Sequence, residues 1–230
     1  MKDGPNIVRI AALIGDHTRT EVLTALLGGK ALTATELAAV AAVTKQTISS
    51  HLAMLTDAQL IAMERQGRHR YFRLADDDVA QLLESLMGVA FRTGAVRLRS
   101  SPREPAMRKA RVCYDHLAGG LSVQIYEHLL KRQALAPGTD GLTLTASGHR
   151  FFMNFGINAE ALRQQRRSFC RACLDWSERR HHLAGALGAA MLERMLALRW
   201  ARREADSRVV NFSKPGEQAM RELFRLPVTD

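Results

Sequence analysis

The stretch TATELAAVAAVTKQTISSHLAML, residues 33–55, constrains the fold more than any other part of this 230-residue sequence. Thr33 and Glu36 have the spacing of a capping box, which predicts the start of a short helix. A second helix is predicted to begin at Thr44, because apolar residues recur from Ile48 at i, i+4 and i+7. Two short helices joined by a tight turn are the helix-turn-helix arrangement, in which the second helix enters the major groove of DNA.

The polar face of this second helix suits contact with base edges. Its side chains are short donors and acceptors with one cation near the N-terminus, so they can reach the bases without steric bulk. The N-terminus of a helix also favours a phosphate group. The alternative, an ordinary solvated face, is usually richer in Glu and Lys. The predicted DNA-binding residues of this helix are Thr44, Lys45, Gln46, Thr47, Ser49, Ser50 and His51.

A hairpin is predicted directly after these helices. The β-prone runs Leu60–Glu64 and Tyr71–Leu74 flank a basic tip, and Gly67 supplies the turn. Such a hairpin is a wing whose tip contacts phosphates or the minor groove. The predicted contact residues of the wing are Arg65, Arg68, His69 and Arg70.

A further helix is predicted from about Asp77 to Val96. Its apolar stripe is larger than a small wing domain can cover, so it predicts the seam of a homodimer. The stripe consists of Val79, Leu82, Leu83, Leu86, Met87 and Ala90.

Residues 6–96 resemble the ArsR family of bacterial winged-helix repressors. The resemblance is carried by GDHTRTEVLTALL, ELAAVAAVTKQTISSHLAML and IAMERQGRHRYFRL. It implies a homodimer that binds a double-stranded DNA operator with two half-sites and releases it when an effector binds. The sequence departs from the family at both of its familiar metal sites. ELAAVAAV has no cysteine, and DDDVAQLLESLMGVAFRTG has no histidine, so the effector is expected to act elsewhere.

The second part of the chain is predicted to contain an internal repeat. Residues 1–98 form the DNA-binding and dimerisation domain, residues 99–106 (RSSPREPA) a linker, and residues 107–230 an effector region. HLAG occurs at 116–119 and again at 182–185, and Gly148 matches Gly216. The repeats span about 107–157 and 170–226. The predicted fold class is therefore mainly α with small β-wings: a winged helix-turn-helix followed by two degenerate winged-helix-like units.

All three cysteines lie at the start of these repeats. Cys170 and Cys173 are predicted to share one helix face, and Cys113 joins them if the two repeats meet there. His116 and His182 are candidate ligands, although their repetition also fits a structural role. Three interpretations stay open: a site for Zn or another thiophilic metal or metalloid ion, a reactive-thiol sensor, or small buried core residues. The tentative site residues are Cys113, Cys170, Cys173, His116 and His182.

Composition and charge limit the classes of function. The net charge is +10, of which +2 (12 Lys/Arg against 10 Asp/Glu) falls on residues 1–100 and +8 (21 against 13) on residues 101–230. This surplus favours a polyanionic partner such as DNA. With no export signal, no membrane span and few cysteines, a cytoplasmic protein is expected.

The sequence favours a DNA-binding repressor, not an enzyme, that is released by a metal or thiol-reactive effector at the second part. Three alternatives remain. The effector is a small organic or anionic ligand, the chain is a thiol-dependent enzyme fused to a DNA-binding domain, or it is a non-specific architectural DNA binder. The only feature that suggests an enzyme is the segment CRAC, residues 170–173. No phosphate-binding loop or catalytic motif accompanies it.

Overall fold

The computed structural model describes most of the chain as two compact units, Met1–Leu83 and Glu84–Asp230. The boundary between them falls within a helix, before the predicted linker 99–106. Residues 104–106 of that linker are helical, and the others lie outside the described residues. No helix of the described part is both long and apolar enough to cross a lipid bilayer. The described residues are 4–67, 69–95, 104–138, 141–205 and 207–226.

The first unit consists of helices and a small antiparallel sheet with the strand order β1-β3-β2. Its elements are α1 (Ile7–Ile14), α2 (His17–Leu26), β1 (Leu32–Thr33), α3 (Ala34–Val40), α4 (Lys45–Asp57), β2 (Ile61–Gln66), β3 (His69–Leu74) and the first part of α5 (Asp77–Arg92).

Side-chain caps fix where the helices of the first unit begin. Thr33 and Glu36 form the expected capping box at the start of α3. Thr44 caps α4 by accepting a hydrogen bond of 3.2 Å from the backbone N–H of Thr47. The two helices are therefore separated only by residues 41–44, which makes the tight turn that the sequence predicted.

The core of the first unit is built from the apolar faces of α2, α3, α4 and the wing. The wing strands pair in register from Ile61 opposite Leu74 to Gln66 opposite His69, so the predicted hairpin is present. The expected winged helix-turn-helix is thus confirmed for this part of the chain. Its buried apolar residues include Val22, Leu23, Leu26, Leu37, Ile48, Leu52, Leu55, Ile61, Phe72 and Leu74.

Helices α1 and α5 each leave more than one large apolar side chain in solvent. Helix α1 buries none of its residues, and Ile7 and Val8 are 76% and 78% exposed. On α5, Leu82, Leu86 and Val89 are also exposed. Exposed apolar side chains on one helix face indicate a surface that a partner covers.

Within its described residues, the second unit has four hairpins that alternate with helices. Its elements are the end of α5, α6 (Glu104–Lys109), β4 (Arg111–Cys113), β5 (His116–Ala118), α7 (Gly120–Lys131), β6 (Leu135–Gly138), β7 (Gly141–Leu144), α8 (Ala146–Asn154), α9 (Ala159–Arg163), β8 (Arg171–Leu174), β9 (His181–Ala184), α10 (Gly185–Ala197), β10 (Ala201–Arg203), β11 (Val210–Phe212) and α11 (Lys214–Phe224).

The same order of elements occurs twice in the second unit. Each repeat is a hairpin, a helix, a second hairpin and a second helix. Two residues after its end, the first helix of each repeat is followed by a residue in the left-handed conformation, Gln133 (φ 55°) in one and Arg199 (φ 57°) in the other. Gln59 (φ 57°) follows α4 in the first unit in the same way, before the wing. The helix, wing and helix of each repeat thus follow the order of α4, the wing and α5.

The helical prediction for the cysteine segments was wrong. Cys113 and Cys173 lie in strands β4 and β8, each paired antiparallel with the strand that carries the histidine. Cys170 and Cys173 therefore do not share a helix face. Strands of three or four residues are too short to show a period, and the short polar run between β8 and β9 obscured the hairpin.

Both repeats contribute to one hydrophobic core. Leu117, Ile125, Leu129 and Phe152 come from the first repeat and pack in one cluster with side chains of the second. Those of the second repeat include Leu183, Leu187, Met191, Met220 and Phe224. Neither repeat buries its apolar residues alone, so the two are expected to fold together.

We predict that Gly148→Ala and Gly216→Ala destabilise the chain. An added Cβ would lie 2.1 Å from the carbonyl oxygen of Ala134 and 2.2 Å from that of Trp200, and backbone atoms cannot move aside as a flexible side chain does. We expect each variant to lower the free energy of unfolding by about 1–3 kcal/mol or more in urea titrations followed by circular dichroism.

Gly88→Ala is the matched control for these two substitutions. Gly88 also lies in a helix, but an added Cβ there would meet nothing within 4 Å. We expect it to raise the free energy of unfolding by about 0.5–1 kcal/mol, since alanine is the better helix former. Wild-type stability in both the Gly148 and Gly216 variants would contradict the close helix approach in the two repeats.

Candidate DNA-reading face and candidate metal site

The exposed side of α4 carries six of the seven predicted DNA-reading residues of that helix. Ile48, Leu52 and Leu55 are buried on the opposite side, which fixes the rotation of the helix. Three hydroxyls are already used locally, because those of Thr44 and Thr47 bond to each other and that of Ser49 donates to the carbonyl of Lys45. The exposed residues are Thr44, Lys45, Gln46, Thr47, Ser49 and Ser50.

His51 lies at the edge of this face and is half-buried. Its Nδ1 is 3.3 Å from Nη1 of Arg19 and 3.6 Å from Oδ1 of Asp16. Asp16 in turn caps α2 by accepting from the backbone N–H of Arg19. These contacts join α4 to α2, so His51 helps to hold the DNA-reading helix in position in addition to lying at the edge of its exposed face.

The tip of the wing is exposed. Arg65 pairs with Arg70 across the hairpin, and both side chains and His69 lie in solvent. Gly67 takes φ 59°, a conformation that glycine adopts without cost. Arg68 lies outside the described residues. Two adjacent cations on a solvent-exposed hairpin form a surface that a phosphate backbone can contact.

In the second unit, each repeat brings one cysteine and one histidine side by side. Cys113 is the direct cross-strand partner of His116 in the β4–β5 hairpin, and Cys173 is the partner of His182 in the β8–β9 hairpin. Directly opposed residues of an antiparallel pair lie on the same face of the hairpin. The two hairpins therefore carry equivalent Cys–His pairs, although the turns that connect their strands differ in length.

The two pairs meet in the interior of the unit. One ligand atom each from Cys113, His116, Cys173 and His182 lies within 4.8 Å of every other, and all four residues are buried. The two imidazole rings approach most closely through their Nε2 atoms, which are 3.2 Å apart. Two imidazoles and two thiols are a donor set that a four-coordinate zinc ion accepts.

A carboxylate faces the far nitrogen of each imidazole. Nδ1 of His116 lies 3.1 Å from Oδ1 of Asp115. Nδ1 of His182 is 3.5 Å from Oδ2 of Asp175 and makes no hydrogen bond within the described part of the chain. Where each ring carries its proton on Nδ1, towards the carboxylate, both Nε2 lone pairs point into the space between the rings.

Cys170, the remaining tentative site residue, lies apart from this cluster. Its thiol donates a hydrogen bond of 3.3 Å to the carbonyl of Leu142, and its side chain belongs to the apolar core of the unit. Burial raises the pKa of the Cys170 thiol to about 11. The structure therefore places Cys113, Cys173, His116 and His182 together and leaves Cys170 as a core residue.

A buried network of charges surrounds Asp175. Its Oδ1 accepts from Arg111, 3.0 Å away, and from the hydroxyl of Ser177, while its Oδ2 accepts from the backbone N–H of Gly119 at 2.7 Å. Arg111 is completely buried and also lies 3.8 Å from Glu84 of α5. Although burial opposes ionisation, Arg111 and these donors hold the pKa of the Asp175 carboxyl well below its usual range.

The protonation of the cluster follows from burial and its neighbours. A hydrogen bond with Cys173 and burial raise the pKa of the Cys113 thiol well above its usual range. Burial alone would lower the pKa of His116, but the Cys113 sulfur and the Asp115 carboxylate raise it to about 9. Burial and the neighbouring His116 lower the pKa of His182.

Sequence reasoning missed the charged residues around the cluster. Asp115 and Asp175 each follow their cysteine by two residues, so the repeat carried a signal for them. Arg111 and Glu84 gave no such signal, because an arginine and a glutamate are normally assigned to the surface. Their burial depends on partners that are distant in the sequence.

Comparison with known proteins finds relatives of both the N-terminal part and the whole chain. A family model described as a helix-turn-helix domain matches residues 14–64. The HTH-type transcriptional regulator YdfF of Bacillus subtilis (strain 168) is 42% identical over 224 residues, which are 97% of this chain and 99% of YdfF. The HTH-type transcriptional regulator CmtR of Mycobacterium tuberculosis (strain ATCC 25618 / H37Rv) is 32% identical over 83 residues, 36% of this chain and 70% of CmtR.

Two solved structures each cover less than half of this chain. One is the homodimeric winged helix-turn-helix DNA-binding domain of Mb0332 from Mycobacterium bovis, described as a possible ArsR-family transcriptional regulator. It is 22% identical to this chain with a TM-score of 0.36, and the match covers 40% of this chain and 92% of the Mb0332 chain. The solution structure of CmtR, described as a cadmium metal-sensor, is 32% identical with a TM-score of 0.31 and covers 34% of this chain and 81% of its own.

We predict that all three thiols react slowly in the folded, chelator-treated protein. The thiolate is the reactive form, and burial keeps the thiols of Cys113, Cys170 and Cys173 out of contact with reagent. Alkylation by iodoacetamide, followed by residue-resolved mass spectrometry, is expected to be at least ~10-fold slower than in denaturant. Rapid alkylation of Cys113 or Cys173 in the folded state would instead favour a reactive-thiol sensor.

Proposed function

This chain belongs to the family of HTH-type transcriptional regulators, and we propose that it is a homodimeric repressor released from its operator by an effector that acts on the second unit. Membership confirms the expectation from sequence that the N-terminal part contains a helix-turn-helix domain and that the chain is a transcriptional regulator. The operator, the dimer and the effector belong to the proposal.

One observation carries the DNA-reading part of the proposal. The N-terminal half of α4 presents six adjacent exposed polar side chains while its other side is held in the core. Lys45 and Gln46 are the longest of them and are free to reach beyond the helix surface. Beside base edges, such side chains discriminate sequence, whereas the wing cations Arg65 and Arg70 contact phosphates and position the protein.

The exposed apolar residues support the dimer. A pair of wings and reading helices related by a twofold axis matches a pseudo-palindromic operator with half-sites about one helical turn apart, or a multiple of it. Burying Leu82, Leu86 and Val89 of α5 against a second copy removes apolar surface from water. We propose that α5 supplies this interface.

The second unit is proposed to receive the effector. ELAAVAAV has no cysteine and α5 has no histidine, so the two metal sites familiar in the ArsR family lack these ligands here. The buried cysteine and histidine cluster lies in the second unit instead. A thiophilic metal ion is favoured over an oxidant, because buried thiols of raised pKa are poor nucleophiles.

We predict that Gln46→Ala or Ser50→Ala relaxes sequence preference, whereas Arg70→Ala weakens binding to every sequence. An operator would first be selected from randomised DNA with the wild-type chain. Loss of a base contact is expected to cost about 1–3 kcal/mol on that operator. Loss of a phosphate contact is expected to reduce the slope of log affinity against log salt by about one.

Glu193→Gln is the control for these titrations, because Glu193 is exposed on α10, away from α4 and the wing in the sequence. It is expected to bind operator like the wild type or slightly more tightly. Wild-type affinity and preference in the Gln46 and Ser50 variants would overturn the assignment of α4 as the reading helix. Selection that returns no preferred sequence would favour an architectural DNA binder.

We predict that Leu86→Glu weakens the dimer. A charge placed in an apolar interface loses its hydration, so the dimer dissociation constant is expected to rise by more than about 10-fold in sedimentation equilibrium. Met153→Glu is the control, since Met153 is an equally exposed apolar residue of α8. Equal behaviour of the two variants would place the dimer seam elsewhere.

A further inference from the structure

We propose that Cys113, His116, Cys173 and His182 form a closed tetrahedral site for a divalent ion of the Zn²⁺ type, to which each repeat of the second unit contributes one cysteine and one histidine. The proposal deepens the function proposed above, on which its regulatory part rests, by naming the ligands and the chemical class of the effector. The proposal that the site binds an ion depends only on residues of the second unit.

The spacing of the ligand atoms fits such an ion. Two Zn–N bonds of roughly 2.0 Å at the tetrahedral angle place their nitrogens about 3.3 Å apart, and the two Nε2 atoms are 3.2 Å apart. One ring nitrogen of each histidine and the two sulfur atoms all lie within 4.8 Å of one another. Two Zn–S bonds of about 2.3 Å at the tetrahedral angle place their sulfurs about 3.8 Å apart, so binding requires the sulfurs to approach each other by at most about 1 Å.

The charge of the site also favours a divalent ion. Two thiolates neutralise one divalent cation, so the loaded centre adds no net charge to a buried position. Trivalent or strongly soft ions prefer thiolates alone, and the third cysteine of the chain, Cys170, is held by the core and Leu142 instead. A mixed pair of thiols and imidazoles is therefore a zinc-type donor set, not a three-thiol metalloid set.

The surroundings resemble the outer shell of a metal site. Histidine ligands commonly donate their second ring N–H to a carboxylate, which fixes the tautomer and the orientation of the ring. Asp115 and Asp175 occupy that position beside His116 and His182. Both carboxylates are themselves held, Asp115 by Arg167 at 2.6 Å and Asp175 by Arg111 at 3.0 Å.

The same outer shell connects the site to α5. Arg111 lies between Asp175 and Glu84, and Glu84 also accepts a short hydrogen bond from the buried Arg208. Helix α5 begins in the first unit and carries Glu84 where the second begins. An ion that draws the two hairpins together changes the position of Asp175 relative to Arg111. Because Arg111 also contacts Glu84, ion binding can then shift the position of α5, the helix that carries the proposed dimer interface.

The binding test uses the full-length chain, stripped with a chelator and titrated with Co²⁺ and then Zn²⁺. Co²⁺ is expected to produce the intense visible absorption of a tetrahedral site and a thiolate-to-cobalt charge-transfer band, with a single ion per chain, and Zn²⁺ is expected to abolish both. Weak octahedral-type absorption, or no binding of either ion, would overturn the site.

The ligands are identified by substitution. Cys113→Ala and His182→Gln should lose affinity for Zn²⁺ by more than the roughly 10- to 100-fold that loss of an outer-shell partner causes, and Asp115→Asn should fall within that range. Cys170→Ala is the matched control: a buried cysteine of the same unit, expected to keep full affinity. Circular dichroism of each stripped variant checks folding. If a ligand variant does not fold, the Co²⁺ spectrum of the wild type and the Cys170 control still decide the question.

Operator titrations with the same proteins separate the two proposals. Zn²⁺ is expected to weaken operator binding by the wild type and by Cys170→Ala, and to leave Cys113→Ala unchanged. Tetrahedral binding without any effect on operator affinity would overturn the regulatory part and leave a structural metal site. Operator binding that persists without any metal binding would overturn the site and leave the repressor intact. Metal binding without any DNA binding would overturn the repressor and leave the metal site intact.

Discussion

The buried carboxylate of Asp175 joins the two repeats of the second unit. It belongs to the second repeat, yet Arg111 and the backbone N–H of Gly119, two of its hydrogen-bond donors, come from the first. Removing one partner of such a pair costs about 3–5 kcal/mol, because the other charge is left buried and uncompensated. The relative position of the two hairpins, and with it the distance between His116 and His182, therefore depends on this contact.

The repeat explains why the cluster has two equivalent halves. The first hairpin turns within two residues, with Tyr114 at φ 59°, whereas the second needs residues 175–180 for the same task. Despite these different turns, each hairpin places its cysteine directly opposite its histidine. Directly opposed residues of an antiparallel pair lie on one face of the hairpin whichever turn joins the strands, so the turns can differ while each Cys–His pair keeps its arrangement.

The first unit was predictable from sequence and the cluster only in part. Capping residues, a 3.6-residue period and a glycine turn are local signals, and Thr33, Thr44 and Gly67 occupy the expected positions. The repeat pointed to Cys113, Cys173, His116 and His182, but assigned them to helices, because strands of three or four residues have no period to detect. The separation of Cys170 and the burial of Arg111 and Glu84 depend on tertiary contacts, which no local pattern contains.

The position of the proposed ion within one unit constrains how it can regulate DNA binding. An ion held by two hairpins of the same unit has no ligand in the reading helix, so it cannot act by direct competition with DNA. It can act only if it binds two arrangements of the second unit with different affinity. Linkage then requires operator DNA to weaken binding of the ion by the same factor by which the ion weakens binding of the operator. The Asp175–Arg111–Glu84 network supplies the element whose arrangement can differ, because a buried charge network exchanges partners in discrete steps and does not deform continuously.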